Sequence, residues 1–146
     1  MYLFNELKKE DINIDYLLLL SQLSSVNLDN LNIDEIELFI KKLNKNHKIF
    51  VLKDEEKNNK IIGTVTILIE NKIIHNFSCV GHIEDVVVDE NYRGKNLGKR
   101  IINEAVNYCK NINCYKVILD CSDNNIKFYE KCNFTLKGNQ MALYFD

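Results

Sequence analysis

One continuous segment, in which an apolar strand leads through a glycine-containing loop into a helix, constrains the fold of this chain more than any other part of its sequence. The strand ends in Val86-Val87-Val88, and the loop runs from Arg93 to Gly98. Three consecutive valines are apolar on both faces of a strand, which predicts an interior strand. After the loop, apolar side chains at four-residue spacing predict a helix that covers the sheet. They are Leu97, Ile101, Ala105 and Cys109.

The loop between this strand and this helix has the composition of a phosphate-binding loop. A helix leaves its first backbone N–H groups unpaired and carries partial positive charge at that end, so an anion is favoured there. Gly94 and Gly98 have no side chain to block a close approach, and Asn96 tolerates a left-handed conformation. An ordinary turn with solvated lysines has the same composition, so the loop alone leaves both interpretations open. The cations in and beside the loop are Arg93, Lys95 and Lys99.

Length and composition predict a single globular domain, residues 1–146, in the cytoplasm. The chain has 46% hydrophobic residues and a net charge of −2, without the basic excess of a nucleic-acid-binding protein. Its first residues are charged too early for a signal peptide, and no apolar run reaches membrane-spanning length. Five cysteines without paired CxxC spacing are typical of buried reduced thiols, so we expect neither disulfides nor a metal site.

Hydrophobic periodicity predicts the order β-α-α-β-β-β-α-β-α-β, a mixed α/β sheet with helices on both faces. We expect the second and third strands to pair antiparallel. The predicted strands are Tyr2–Glu6, Lys48–Lys53, Lys60–Glu70, a two-part strand at Ile73–His75 and His82–Val88, Tyr115–Cys121 and Met141–Phe145. The predicted helices are Asp11–Leu23, one capped by Asn32, the helix after the glycine loop, and a short helix from near Ser122 to Lys131.

A second motif, Asn125-Ile126-Lys127-Phe128-Tyr129-Glu130-Lys131-Cys132-Asn133-Phe134, follows the glycine loop by about thirty residues. Together the two motifs resemble the acetyl-CoA site of the GCN5-related N-acetyltransferase (GNAT) family. Segments 81–88, 114–121 and 128–132 resemble the members of that family that act on amino sugar phosphates. The resemblance implies the GNAT fold, with a central, mostly antiparallel sheet that splays at the strand that binds acetyl-CoA and helices on both faces.

The resemblance implies an acetyl-CoA site on the strand, the loop and the second motif. The backbone at the end of the strand would pair with the pantetheine arm, and the loop would hold the pyrophosphate. Asn125 matches an amide that contacts the cofactor, with a helix cap as the alternative role. The implied cofactor-binding residues are Val86, Val87, Val88, Arg93, Gly94, Lys95, Asn96, Leu97, Gly98, Lys99, Asn125 and Tyr129.

Two residues, Tyr129 and Asp120, are implied to take part in catalysis. Tyr129 matches a tyrosine near the thioester sulfur, where a phenol can donate a proton to the departing thiolate; packing beside Phe128 is the alternative. Asp120 ends a strand that is predicted to be buried, where a carboxylate needs a reason to be present. Three roles are open for Asp120: it positions the substrate amine or a water bound to that amine, it contacts the cofactor side of the site, or it caps the next helix. Direct transfer needs no cysteine nucleophile, so Cys121 and Cys132 are interpreted as packing residues.

The implied acceptor is the amine of D-glucosamine 6-phosphate, acetylated on the way to UDP-N-acetylglucosamine. Carboxylates accept hydrogen bonds from hydroxyls and favour a cationic amine, so adjacent acids suit a hexosamine. The family forms such sites across a two-fold homodimer, and the resemblance implies neither nucleic acid nor membrane as a partner. The implied substrate-binding residues are Ser24, Lys72, Ile73, Ile74, His75, Glu84, Asp85, Val86, Tyr115, Lys116, Asp120 and Tyr144.

Three positions depart from the family pattern, and two other functions stay open. Asn96 and Asn133 replace usual glycines, and Tyr144 occupies a place where some members carry an arginine that contacts phosphate. An acetyltransferase for another amine, such as a polyamine, an amino acid or a protein N-terminus, is the enzymatic alternative. A non-catalytic acyl-CoA sensor on the same fold is the other.

Overall fold

The computed structural model describes residues 1–29 and 32–145, and a five-stranded sheet in the order β1-β2-β3-β4-β5 forms its centre. Neighbouring strands are antiparallel except β4 and β5, which run parallel. The predicted antiparallel pairing of the second and third strands is therefore confirmed. The strands are β1 (Tyr2–Glu6), β2 (His47–Asp54), β3 (Lys60–Asn71), β4 (Cys79–Val88) and β5 (Cys114–Ile118).

Helices cover both faces of the sheet, as the sequence predicts. The first two begin at asparagine caps, because Asn13 accepts the backbone N–H of Tyr16 and Asn32 accepts that of Asp34. None of the described helices is both long and apolar enough to cross a membrane. The helices are α1 (Ile14–Ser21), α2 (Ile33–Lys42), the single turn α3 (Ile74–Phe77), α4 (Leu97–Asn111) and α5 (Ile126–Glu130).

Two hydrophobic clusters, one on each face, hold the helices on the sheet. Ile101 and Ile102 of α4 are fully buried in the first cluster, and Tyr16 and Leu19 of α1 belong to the second. Val87 of β4 also belongs to the second cluster, whereas its two neighbouring valines pack against the first. The end of β4 is thus apolar on both faces, and β4 lies inside the sheet, as its sequence predicts.

The strand predicted at Ile73–His75 is wrong. His75, Asn76 and Phe77 have φ values of 56°, 57° and 58°, in the left-handed region. A strand needs φ near −120° to −140°, so these residues form the tight turn α3 between β3 and β4. The alternation of residue types predicts which side chains a strand would bury, but it does not reveal where the backbone reverses direction.

The strand predicted at Met141–Phe145 is also wrong. In the described chain up to Phe145 these residues pair with no strand. Their side chains are open to solvent, with exposures of 94% for Met141 and 89% for Phe145. A strand-like pattern forms a strand only where a partner supplies backbone hydrogen bonds, and the described residues supply none to this C-terminal segment.

Candidate active site

The pairing of β4 with β5 ends halfway along β4. Parallel partners run from Cys79 opposite Cys114 to His82 opposite Ile118. From residue 83 to residue 88, that edge of β4 has no paired strand among the described residues. Backbone N–H and C=O groups require hydrogen-bond partners, and an extended ligand supplies them when it adds to a strand edge. The open edge therefore suits a flexible ligand that carries amide groups.

A β-bulge lies at the start of this open edge. Between Glu84 and Val87, β4 contains one residue more than the opposing part of β3, and Asp85 has a φ of 49°. A bulge bends its strand and redirects side chains. Ile83 and Val86 both contact the cluster under α4, so the two acids between them occupy the space that a regular strand gives to one residue. The bulge thus leaves both carboxylates outside that core.

The glycine loop has left-handed residues and leads into the N-terminus of α4. Gly94 has a φ of 81° and Asn96 a φ of 58°, so Asn96 takes the conformation that its position predicts. A Cβ added at Gly94 would meet no atom within 4 Å, so the space beside the loop is open. The N–H of Arg100 pairs with the carbonyl oxygen of Asn96 at 3.1 Å, and the N–H groups before it are those that a helix leaves for another partner.

The charges at this helix start favour an anion. The first turn of α4 contains no acidic residue but does contain the cation Lys99; Arg100 in the same turn donates instead to the carbonyl oxygen of Tyr2 at 2.9 Å. Cations at a helix N-terminus are disfavoured by the helix dipole unless a negative group lies nearby. The open space, the unpaired N–H groups and the cations together fit the pyrophosphate of acetyl-CoA.

Gly98 has a packing role that the sequence analysis missed. A Cβ at this position would lie 3.2 Å from Cζ of Phe128, which is closer than nine in ten real Cβ contacts. The Phe128 ring in turn contacts that of Tyr129, with centroids 5.0 Å apart. Gly98 therefore lets α5 approach the start of α4. An aromatic residue in the second motif and a glycine in the first are the only sequence signal of this contact.

A groove of about 1180 Å³ runs beside β5 and brings five of the predicted site residues together. They comprise two carboxylates, two tyrosines and a lysine. The glycine loop and Asp85 do not line it, so the groove is a separate part of the site from the open loop. The five residues are Glu84, Asp120, Tyr129, Tyr115 and Lys116.

Burial and like charges shift the pKa values of groups in the groove. Burial raises the pKa of Glu84, and the negative charges of Asp120 and Asp85 raise it further. Burial also raises the pKa of Tyr129. The Tyr129 hydroxyl therefore stays protonated at neutral pH, as a proton donor must.

Asp120 and Cys121 lie in a different environment from the predicted one. Because β5 ends at Ile118, both residues follow the strand and are exposed, whereas a buried strand was expected. Asp120 Oδ2 accepts a hydrogen bond from Nε2 of Gln140 at 3.3 Å. The cause is that, among the residues that the structure describes, no strand pairs with the outer edge of β5 and covers that side. Cys132 is buried, as expected for a packing residue.

The ring of Tyr115, at the start of β5, contacts a histidine and a lysine side chain. The His75 ring stacks on it with centroids 4.2 Å apart, and Lys116 Nζ lies 5.6 Å from its centroid. Lys72 is ion-paired with Glu70, whose hydrogen bond raises the pKa of the lysine. A phosphate at this place would meet the ammonium group of Lys116 and would compete with Glu70 for Lys72.

The remaining predicted residues lie outside these groups. Ser24 is exposed after α1, and Tyr144 has 89% of its surface exposed. Ile73 and Ile74 are 80% and 63% exposed at the turn before β4. Asn125 precedes α5 without a capping hydrogen bond from its side chain, so the alternative role as a helix cap is not realised.

Two side-chain hydrogen bonds join distant parts of the chain to the turn at Glu90–Tyr92, next to the site. The sequence gave no reason to expect either of them. Gln22, two residues before Ser24, accepts the backbone N–H of Glu90 at 3.0 Å through its side chain. Tyr92 donates its hydroxyl to Asp54 Oδ2 at 2.8 Å. Both contacts end at the turn that precedes the glycine loop, and neither residue pair follows a periodic pattern.

Among residues 1–29 and 32–145, no group of three His, Cys, Asp or Glu side chains could hold a metal ion.

A splayed β4 edge, a glycine loop at a helix N-terminus and a groove with a half-buried tyrosine define an acetyltransferase of the GNAT type. The sequence matches the acetyltransferase (GNAT) family over residues 17–134, and the chain belongs to this family. The family takes its acetyl group from acetyl-CoA, for which the loop and the open edge are suited. The family and the fold that the sequence predicts are therefore confirmed.

The chain is similar to two curated relatives and to one solved structure. Glucosamine 6-phosphate N-acetyltransferase of Arabidopsis thaliana is 48% identical over 107 residues, covering 73% of this chain and 71% of the relative. Glucosamine 6-phosphate N-acetyltransferase 1 of Dictyostelium discoideum is 43% identical over 141 residues, covering 97% of this chain and 89% of the relative. The crystal structure of glucosamine-6-phosphate N-acetyltransferase from Arabidopsis thaliana has a TM-score of 0.91 and 38% identity, covering 100% of this chain and 99% of that chain.

Proposed function

We propose that this protein transfers the acetyl group of acetyl-CoA to the amine of D-glucosamine 6-phosphate, giving N-acetylglucosamine 6-phosphate and CoA. The observation that carries the proposal is the groove, in which Glu84, Asp120 and a protonated Tyr129 line one space beside β4. The names of relatives that are 48% and 43% identical support this acceptor.

In the proposed reaction the acetyl group passes directly to the sugar. Acetyl-CoA supplies the thioester; as the neutral amine nitrogen attacks its carbonyl carbon, the C–N bond forms, the C–S bond breaks and the nitrogen loses a proton to water. Tyr129 donates its phenolic proton to the departing sulfur and then recovers a proton from water. Glu84 and Asp120 accept hydrogen bonds from the amine and hydroxyls of the sugar.

The proposed acetyl-CoA site uses the backbone more than side chains. The unpaired edge of β4 would hold the amide-containing arm, and the loop from Gly94 to Gly98 would hold the pyrophosphate at the start of α4. Direct support comes from the left-handed Gly94 and Asn96, which turn the loop, and from the open space beside Gly94. Arg93, Lys95 and Lys99 provide positive charge there.

We further propose a homodimer in which some phosphate contacts come from the partner subunit. No strand in the described part of the chain pairs with the outer edge of β5, and the C-terminal segment from Met141 to Phe145 exposes apolar side chains. In a dimer, the C-terminal segment of each copy would pair with the open β5 edge of the other copy. This exchange would give hydrogen-bond partners to both edges and would cover the apolar side chains. Lys72, His75 and Lys116 lie beside the start of that edge and would meet the sugar phosphate.

The proposed place of action is the cytoplasm, in the formation of UDP-N-acetylglucosamine. All five cysteines are free, which suits a reducing compartment. Fractionation of cells that express a tagged chain tests the location. Recovery of the protein in a secreted fraction would contradict it.

The substrate is tested with a panel of amines. Purified protein is incubated with acetyl-CoA and either glucosamine 6-phosphate, glucosamine or spermidine, and the acetylated product is measured by mass spectrometry. We expect kcat/KM for glucosamine 6-phosphate to exceed that for glucosamine by about 100-fold, because the phosphate adds charge-assisted hydrogen bonds. Equal rates with the three amines would overturn the proposed acceptor. Binding of acetyl-CoA without acetylation of any amine would instead indicate a sensor.

A further inference from the structure

Tyr92 stands immediately before the glycine loop and is held by a residue 38 positions away in the sequence. Its hydroxyl donates to Asp54 Oδ2 at 2.8 Å. Asp54 is only 6% exposed, and its other oxygen accepts the backbone N–H of Glu56 at 3.1 Å. The carboxylate is therefore fixed by its own turn. The bond to Asp54 raises the pKa of Tyr92 to about 12, so the hydroxyl stays a donor at physiological pH.

The Tyr92 ring lies next to the cations at the loop. Lys95 Nζ is 5.0 Å from the ring centroid, and Lys60 Nζ is 5.9 Å from it. An ammonium within about 6 Å of an aromatic face is attracted to it. Lys60 is also ion-paired with Asp89 at 3.2 Å, whereas Lys95 forms no ion pair within the described chain. No carboxylate within the described chain therefore competes with a ligand for Lys95.

The backbone that leads to Tyr92 is fixed as well. The N–H of Tyr92 donates to the carbonyl oxygen of Asp89 at 2.8 Å. The side chain of Asp89 accepts the N–H of Asn91 at 2.9 Å, and its own N–H donates to Ile62 at 2.8 Å. Hydrogen bonding is therefore dense up to Tyr92, and the loop that follows contains Gly94, which has wide conformational freedom.

We propose that Tyr92, held by Asp54, is a positioning residue that sets the glycine loop and Lys95 for the phosphates of acetyl-CoA. Ordering a lysine and a glycine-containing loop on binding costs conformational entropy. A loop that is already fixed at Tyr92, with Lys95 against the Tyr92 ring, loses less conformational entropy when the ligand binds. This inference rests on the proposed function, because it requires acetyl-CoA at the loop.

The first test compares Tyr92→Phe with Tyr2→Phe. The Tyr2 ring packs edge-on against that of Tyr92, with centroids 6.4 Å apart, so the control removes a hydroxyl from the same corner of the fold. For Tyr92→Phe we expect CoA to bind about 3- to 10-fold more weakly by calorimetry, KM for acetyl-CoA to rise by the same factor, and kcat to stay unchanged. Tyr2→Phe should match the wild type in all three.

S-acetylpantetheine separates positioning from general damage, because it has the thioester arm but no phosphates. We expect Tyr92→Phe to leave kcat/KM for this compound unchanged. An equal loss with acetyl-CoA and S-acetylpantetheine would overturn the inference in favour of a structural role.

A double-mutant cycle tests whether Tyr92 acts through Lys95. Tyr92→Leu and Lys95→Met should each weaken CoA binding by about 10-fold, and the double variant should be no weaker than the worse single variant. Additive losses would overturn the inference. A wild-type protein that does not bind CoA would overturn the proposed function instead, whereas tight CoA binding that Tyr92→Phe leaves unchanged would overturn only the role of Tyr92.

Discussion

At the scale of single residues, burial in the groove affects Tyr129 and Glu84 differently: it favours the neutral form of each, but only Tyr129 is proposed to work in its neutral form. Burial raises the pKa of Tyr129 further above neutral pH, so the hydroxyl holds the proton that a donor needs. Burial also disfavours the ionised form of Glu84, which is the form that would hold an ammonium group. The neutral form in which Tyr129 would act is therefore compatible with folding, whereas the ionised form in which Glu84 would act destabilises the folded state.

Removing the Tyr129 hydroxyl should slow the chemical step. We expect Tyr129→Phe to lower kcat by about 100-fold, because the thiolate then leaves without a proton donor, with KM for acetyl-CoA unchanged. Steady-state kinetics with glucosamine 6-phosphate measures both values. Tyr108→Phe is the matched control, since burial raises the pKa of Tyr108 as well and its ring packs on Phe50 outside the groove. Wild-type kcat in Tyr129→Phe would refute the general-acid role.

Replacing Glu84 should stabilise the protein while weakening its activity. A carboxyl whose pKa is raised in the folded state stabilises that state when protonated; this contribution is complete below the unfolded pKa and is lost as pH rises through the folded pKa. Glu84→Gln mimics the protonated form, so we expect Tm to rise by about 1–3 °C at pH 7.5 and to match the wild type near pH 4.

The same variant should lower kcat/KM for the amino sugar by about 10-fold, because the charge that holds the amine is gone. Thermal unfolding at the two pH values and steady-state kinetics check the two effects. Glu90→Gln, at an exposed position outside the groove, is the control. A Glu84→Gln protein that melts below the wild type at pH 7.5 would show that burial does not oppose the charge.

At the scale of elements, the starts of α4 and α5 form one unit. Gly98 on α4 receives the Phe128 ring of α5, and Tyr129 follows Phe128. The same stretch of α4 ends the glycine loop. The proposed pyrophosphate contact and the proposed proton donor are therefore connected through one close approach of two helices.

Filling this approach should displace the proton donor. Gly98→Ala puts a Cβ 3.2 Å from Phe128 Cζ, so we expect α5 to shift and kcat to fall by about 10-fold. Alanine favours a helix by up to about 1 kcal/mol over glycine, which offsets part of the strain, so Tm should change by only a few degrees. Adding Phe128→Leu to Gly98→Ala removes the clash and should restore most of kcat. Failure of this second change to restore activity would mean that Gly98 serves the ligand alone.

Elements with a local signal could be predicted from the sequence. The buried positions of α4, among them Ile101 and Ala105, follow a helical period, and the valines of β4 are apolar on both faces. The left-handed conformation of Asn96 follows from its place in a glycine pattern. These features depend on nearby residues, so one sequence was sufficient to find them.

Features that depend on distant partners could not be predicted. The turn at His75 and Asn76 has left-handed φ values that an alternating pattern does not encode. The exposure of Asp120 depends on where β5 ends and on what covers its edge. The Tyr92 bond to Asp54 joins residues 38 positions apart, and neither side chain belongs to a periodic stripe.

At the scale of the whole molecule, one chain supplies the proposed acetyl-CoA contacts, whereas the proposed contacts to the sugar phosphate are expected to need a second subunit. The glycine loop, the open edge of β4 and α4 all come from one chain. The cations near Tyr115 lie instead beside the unpaired edge of β5, and the apolar C-terminal segment also lacks a strand partner among the described residues. Binding of acetyl-CoA should therefore survive in a single chain, whereas acceptance of the sugar phosphate should depend on assembly.

Deleting residues 141–146 separates these two requirements, and it retains Gln140, the hydrogen-bond partner of Asp120. We expect the full chain to sediment as a dimer and the shortened chain as a monomer, because the segment that would pair with the partner is lost. The monomer should bind CoA within about twofold of the full chain, while kcat/KM for glucosamine 6-phosphate falls by at least about 10-fold. Leu38→Ser, which removes an apolar side chain that is 60% exposed on α2, should leave the dimer intact. A shortened chain that still sediments as a dimer would show that another surface joins the two copies, and an unassembled chain with full sugar activity would show that one chain holds the complete site.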